Sequence, residues 1–353
     1  MHDPIILARE LIDIPSVTGE ERAVAEFVET WLTAAGFTCQ RQFVSNDRFN
    51  LLARGSDRPR VVLCTHLDTV PPFLQAREDD EFLHGRGACD TKGILAAMMV
   101  AAGVLLLEGS KDLALLLVVG EETDSIGARE ANRDLGSIGS EVIIVGEPTG
   151  LRYVAASKGA LTAAVRFQGR AAHSAHPELG DSAVLKMARA IAAIDAHDWG
   201  TDPLLGRATA NIGLVRGGEK PNIVPASAEM EMIFRIVDDP ATVRNELELI
   251  VAKEGGEIVR SHGNPPVLMH VPEGEEGIVV GFNTDVPYLD RFGRAVLIGP
   301  GSILDAHGLN EKIAKRDVAT ASVLYHDLVA GLLRGSVTLR PSRQAVEADR
   351  PGV

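Results

Sequence analysis

The sequence predicts an α/β protein of two domains: a larger one on a mostly parallel central sheet, and a smaller ferredoxin-like α+β domain inserted into it. Three observations predict this. A length of 353 residues suggests about two domains. Continuous apolar runs of strand length alternate with helical periodicity over residues 1–156, the pattern of a sheet covered on both faces. Near residue 156 the texture changes to strands that alternate apolar and polar residues, in the order β-α-β-β-α-β. Continuous strands return after 265. The larger domain is therefore expected over 1–156 and 265–353, and the inserted one over 157–264.

Residues 4–13 and 20–35 read as amphipathic helices. In "TGEER", Thr18 is the expected N-cap of the second, with Glu20 and Glu21 in its first turn. "FNLLAR" (49–54) and "RVVLCT" (60–65) read as strands, and "DTKG" (90–93) leads into an Ala/Leu/Met-rich helix over 94–108. "LALLLVV" (113–119) and "EVIIV" (141–145) are buried strands with a helical segment between them. In the inserted domain, "ALTAAVRFQG" alternates as a half-exposed strand and a helix follows over 181–196. "ATANIGLVRGG", "SAEMEMIFRIV", a helix over 240–254 and the strand "GEIVRS" (256–261) complete it. The chain returns through "PPVLMH" (265–270) and "AVLIGPG" (295–301) to a last helix over 313–334. The tail 335–353 is polar, carries two prolines and is expected to be disordered.

Composition narrows the function classes. Hydrophobic content of 45% and charged content of 24% are those of a soluble globular chain. No apolar run approaches the ~20 residues of a membrane span, and "MHDPIILARELIDIPSV" has neither a basic n-region nor a cleavage site. A cytoplasmic protein with no membrane partner is expected. A net charge of −14 argues against a nucleic-acid partner. Cys39, Cys64 and Cys89 form no CxxC pair and read as buried structural thiols.

The apolar runs end in one kind of chemistry. "VVLCT" leads to His66 and Asp68, "LALLLVVG" to Glu121 and Glu122, "EVIIVG" to Glu147, and "AVLIGPGSILDA" to His307; Asp90 lies in "HGRGACDTKG" just before a helix. Singly, a strand-end histidine is a loop residue, a Glu-Glu pair a solvated turn, and an Asp before a helix a cap. Together they converge, because open α/β sheets bind ligands beyond the carboxyl ends of their strands. Five carboxylates and two imidazoles in one crevice would repel and raise one another's pKa values unless cations sat among them. Mixed His/Asp/Glu ligation suits Zn²⁺ or Co²⁺, and a carboxylate can bridge two ions. His66 and Asp68 lie at i and i+2, on one side of an extended chain, which suits a carboxylate orienting a ligating imidazole. Adjacent Glu121 and Glu122 point in different directions, so one can bind metal while the other faces water.

These segments, with "THLDTVP", "GEETDSIGA", "GEPT", "GRAAHSAHPELGDSA", "KPNIVPA" and "GPGSILDAHGLNE", resemble the M20 metallopeptidase family of acetylornithine deacetylase, succinyl-diaminopimelate desuccinylase and glutamate carboxypeptidase type. The resemblance runs from about residue 5 to 330. It implies a zinc-exopeptidase-like catalytic domain and an inserted lid and dimerisation domain. It implies His66 and Glu147 on one zinc, Glu122 and His307 on the other, and Asp90 as the bridge, with a cis Asp90–Thr91 peptide. Asp68 would orient His66, and Glu121 would be the general base. His173 matches the histidine that reaches the partner subunit's site, while Arg235, Asn222, Lys158 and Gly159 fall where the family holds a substrate carboxylate. His176 reads as a surface histidine.

The resemblance further implies a homodimeric enzyme with two Zn²⁺, replaceable by Co²⁺, that cleaves the amide bond of a small N-acyl amino acid or dipeptide. "GEETDSIGAR", "SKGA" and "GPGSILDAH" are most similar to acetylornithine deacetylase and its acetyl-lysine and acetylcitrulline relatives. Succinyl-diaminopimelate desuccinylase, dipeptidase and carboxypeptidase activities are the alternatives within the family. A non-catalytic, metal-holding binding protein is the alternative outside it, and Glu121 argues against that, since a binder needs no base. Two features depart from the deacetylase branch. The segment 271–282 is short for the helix usual there, and Asp285 in "GFNTDVPYL" stands where a Glu often does.

Overall fold

The computed structural model describes residues 3–45 and 47–342, which fall into two compact units. The first comprises residues 1–155, 268–278 and 284–353, and the second 156–267 and 279–283. No feature of the sequence announces the return of 279–283 to the second unit.

The first unit is organised by a six-stranded sheet. Thr38–Phe43 and Phe49–Arg54 form an antiparallel pair at one edge. Beside them Leu113–Val118, Val61–His66, Val142–Val145 and Arg294–Leu297 lie in that spatial order, all parallel to one another. The parallel strands are apolar without alternation because both faces are covered: Leu113–Val118 and Val61–His66 are buried at every position. One face packs on Pro4–Ile12, Arg22–Ala34, Gly93–Leu107 and Lys315–Arg334. Gly93–Leu107 carries no charge and is apolar all round, as a helix enclosed by others must be. The stretch Ala88–Leu107 is long and apolar enough to cross a membrane by composition, and it is largely enclosed within this unit instead.

Two expected features are corrected. Thr18 does not cap the second helix, which begins at Arg22 after Glu21 with no side-chain cap; its hydroxyl donates to Asp68 Oδ2 at 2.8 Å. Part of the tail is ordered: Leu339–Pro341 pairs antiparallel with His270–Pro272, which satisfies an edge the polar composition does not announce. Residues 343–353 of the tail lie outside the described residues.

The second unit is a four-stranded antiparallel sheet in the order Thr209–Gly217, Ser227–Ile236, Gly159–Gln168, Gly256–Asn264. The helices Ala183–Ala196 and Pro240–Lys253 share its core through Met187, Ala190, Val243 and Leu247. The pairing of Ser227–Ile236 with Gly159–Gln168 continues past its end, with Gly169 N donating to Ala226 O, Val224 N to Ala172 O, and Ser174 N to Asn222 O.

Candidate active site

In the first unit, four neighbouring parallel strands deliver their carboxyl ends to one edge of the sheet. His66 is the last residue of its strand and is buried. Its Nε2 lies 3.0 Å from Asp90 Oδ1. The other oxygen of Asp90 lies 3.3 Å from His307 Nε2, which is itself 3.0 Å from Glu122 Oε2. One carboxylate thus stands between two imidazoles. Donor atoms of His66, Asp90 and Glu122 all fall within 4.8 Å of one another, close enough for a single cation. Glu147 is only 4% exposed, and the charges of Asp90, His66 and Glu122 all act on it. The Asp90–Thr91 peptide is cis, and His307 sits at φ +63, in the left-handed region.

The electrostatics are those of a buried, charge-dense cluster. Burial, and then the charge of Glu147, push Glu121 well above the usual carboxyl range. Burial and the charge of Asp90 do the same to Glu147. Burial alone would depress His66, but the nearby carboxylates of Asp68 and Asp90 outweigh it and hold the imidazole well above its ordinary value. Hydrogen bonds to Asp90 and Glu122 raise His307 to about 10. Burial alone would raise Asp90 as well, but hydrogen bonds to His307 and His66 hold that central carboxyl below the usual range. Two imidazoles and three carboxylates form the hard, mixed N/O donor set that Zn²⁺ or Co²⁺ takes, so the residues fit divalent cations.

Asp68 does more, and differently, than expected. Its backbone carbonyl, not its carboxylate, accepts from His66 Nδ1 at 2.8 Å; the carboxylate Oδ1 is 3.6 Å away, too far for a good hydrogen bond. The carboxylate instead accepts from the backbone N–H groups of Gly120, Glu121 and Glu122 at 2.9, 3.1 and 3.2 Å. Asp68 therefore holds the loop that carries both glutamates. Cys89 packs beside the cluster, its Sγ donating to Ser302 O at 3.2 Å. Asp285 is buried, its Oδ1 has no hydrogen-bond partner among the described residues, and burial raises it to about 6.

The remaining expected residues belong to the second unit. His173 and Asn222 are both exposed and lie together, because Ser174 N donates to Asn222 O and His173 bridges to Ile223. His173 Nδ1 accepts from Ala175 N at 3.1 Å. Arg235 lies opposite Ala160, with Gly159 beside it opposite Ile236. The Arg235 guanidinium has no hydrogen-bond or ion-pair partner among the described residues, and burial lowers its pKa. Lys158 Nζ donates to Arg207 O. Gly159 is explained by packing, since a Cβ there would meet Asn264 O at 2.4 Å. His176 is exposed and contacts Glu178. Within one chain these residues form two groups, not one. At ~3.3 Å per residue the strand holds Ser227 and Arg235 about 26 Å apart, and Asn222 and His173 lie beyond the Ser227 end.

Comparison with known proteins agrees with this architecture. The family model described as a peptidase dimerisation domain matches residues 155–259. A peptidase M20 domain-containing protein of Schizosaccharomyces pombe is 38% identical over 319 residues, covering 88% of this chain and 80% of that protein. A protein named "Probable carboxypeptidase" from Aspergillus clavatus is 33% identical over 371 residues, covering 93% and 88%. The structure of an M20 family metallo-carboxypeptidase from Sulfolobus solfataricus matches with a TM-score of 0.78 at 19% identity, covering 93% of this chain and 99% of that one. At that identity the likeness speaks for the fold alone.

Proposed function

This chain belongs to the M20 metallopeptidase family, and we propose that within it the protein hydrolyses the amide bond of a small substrate with a free α-carboxylate, an N-acyl amino acid or a short peptide. The observation that carries this reading is a second carboxyl, Glu121, held by the same Asp68 carboxylate that holds Glu122 in the His66–Asp90–Glu122 donor set. His66, Asp90, Glu122, Glu147 and His307 would hold two divalent cations, with Asp90 shared between them. Bound there, such ions lower the pKa of water toward ~7 and polarise a carbonyl oxygen.

The chain's own residues do the rest. Glu121 is the base that takes a proton from the attacking water and returns it to the departing amine. Its raised pKa suits the second half of that task, once neighbouring positive charge has made the first half possible. Arg235 pairs with the substrate carboxylate, because a half-buried guanidinium without a partner among the described residues presents a fork that matches two carboxylate oxygens. His173 donates a hydrogen bond to the oxygen that becomes negative as the carbonyl is attacked. The ~26 Å along the Ser227–Ile236 strand supports a division of labour between copies: Arg235 serves one site, and His173 and Asn222 serve the site of a second copy. A homodimer follows from that reading.

The acyl and side-chain preference of an acetylornithine deacetylase fits "GEETDSIGAR" and "GPGSILDAH", whereas relatives named as carboxypeptidases favour a peptide cut before its C-terminal residue. Both place the same carboxylate on Arg235. One panel decides: N-acetyl-ornithine, -lysine and -citrulline, N-succinyl-diaminopimelate and several dipeptides, each with its C-terminal amide. Turnover of at least one free acid is expected. No turnover of any, by metal-loaded protein, sinks the hydrolase reading in favour of a metal-holding binding protein.

A further inference from the structure

A buried ion pair stands behind the acid–imidazole cluster. Arg86 and Glu311 are both 1% exposed, and Arg86 Nη1 donates to Glu311 Oε2 at 2.5 Å. The remaining atoms of both groups reach the cluster's backbone. Glu311 Oε1 accepts from the N–H groups of Cys89 and Asp90, both at 3.1 Å. Arg86 Nη2 approaches the carbonyl of His307 at 3.4 Å, and Nε donates to the carbonyl of Pro72 at 3.2 Å. A short antiparallel pairing brings the two together: Lys312–Ala314 lies against Phe82–His84, and Gly85 N donates to Glu311 O at 3.1 Å. Gly85 is needed at this approach, since it sits at φ +141 and a Cβ would meet Ile12 Cγ2 at 2.5 Å.

A buried ion pair is a poor way to stabilise a fold, because well-packed apolar residues of equal volume do as well or better. This one has its hydrogen-bonding capacity spent on specific backbone groups. Two of those groups, the Asp90 amide and the His307 carbonyl, belong to the residue that stands between two imidazoles and to one of those imidazoles, itself at a φ that L-residues rarely adopt. We infer that Arg86 and Glu311 form a clamp that sets the backbone of Asp90 and His307, fixing their side chains before any cation binds. They are positioning residues: Glu311 acts through the Asp90 amide, and Arg86 acts through Glu311 and the His307 carbonyl. This inference rests on the metal-site reading under Proposed function.

The substitutions Glu311→Gln and Arg86→Lys test it. Glutamine keeps the acceptor for the two amides but leaves Arg86 without its countercharge. Lysine keeps the charge but lacks the planar fork that reaches Glu311 and both carbonyls. Metal-free protein is titrated with Zn²⁺ against a chelator, and the visible absorption of the Co²⁺-loaded protein is recorded. Each variant is expected to bind at least one of two cations 10- to 100-fold more weakly and to show a changed Co²⁺ spectrum. Folded variants with wild-type affinities and spectra overturn the clamp, even if their thermal midpoints fall. His66→Ala separates the two readings: if it binds as wild type does, or wild type binds neither ion, the metal site itself is wrong and the clamp falls with it. If neither variant folds, hydrogen exchange on wild type decides. A preformed clamp protects the amides of Cys89 and Asp90 equally with and without metal, and fast exchange in the metal-free protein overturns it.

Discussion

The acid–imidazole cluster and the His173–Asn222 loop are built in opposite ways. Around the cluster, the side chains that matter are braced by groups that do not themselves react. Asp68 gathers three consecutive amides under the two glutamates, and Glu311 gathers two more under Asp90. Around His173 and Asn222 the backbone is paired, but the side chains are exposed. Arg235 is half-buried and yet unpartnered among the described residues. The first region is braced by buried hydrogen bonds, while the second leaves its imidazole and amide open to solvent. Cations demand ligands held to a fraction of an ångström, whereas a substrate is gripped by groups that must be reachable from outside.

That contrast breaks first if the cluster needs no metal. Stripping the protein with a chelator should abolish measurable amide hydrolysis, and Zn²⁺ or Co²⁺ should restore it; full activity after verified metal removal would overturn the reading of the first region. Next in size, Glu121→Gln should cut kcat by about 10²–10⁴ with two metals still bound, as measured by elemental analysis. Loss of a metal with that substitution would make Glu121 a ligand. The exposed region is sharpened by His173→Ala, expected to lower kcat by about 10²–10³. If His173 acts across a dimer, mixing this variant with Glu121→Gln under subunit exchange should rescue activity well above either parent, because one site per mixed dimer is complete. Verified exchange without rescue would return His173 to a role within its own chain or to the loop's structure. The smallest effect belongs to Arg235→Ala. Losing a charge-assisted hydrogen bond should cost about 1.5–3 kcal/mol, roughly 10- to 150-fold in kcat/KM, on free acids but not on their amides. Equal losses on both would assign Arg235 to the fold.

The sequence carried the elements well where periodicity is strong. Phe49–Arg54 begins and ends as "FNLLAR" predicts, and Gly93–Leu107 lies within one residue of the helix read over 94–108. Caps and edges were less legible. Thr18 has the residue type and spacing of an N-cap, but a carboxylate distant in sequence takes its hydroxyl. "SVTLRP" reads as part of a polar tail, yet Leu339–Pro341 finds an open edge at His270–Pro272. The same holds at the site. The candidate groups were singled out because they follow apolar runs or precede a helix, and the family resemblance then assigned five of them as metal ligands. Arg86 and Glu311 carry no such mark: each is an ordinary charged residue in a glycine-containing stretch, and only burial against the other distinguishes it.

What the sequence determined by itself is therefore what repeats along the chain: the order of strands and helices, the change of texture near residue 156, and the chemistry at each strand's end. These follow from local propensity and from which faces must be buried, both written in neighbouring residues. Only the tertiary structure decided which ends meet and what holds them. It gave Asp90 its contacts with His66 and His307, where the family resemblance had implied a bridge, and it alone turned the Asp68 carboxylate toward the glutamate loop and placed Arg235 a strand's length from Asn222. The physical reason is that a hydrogen bond or an ion pair is fixed by distance and direction in space, which sequence separation does not encode.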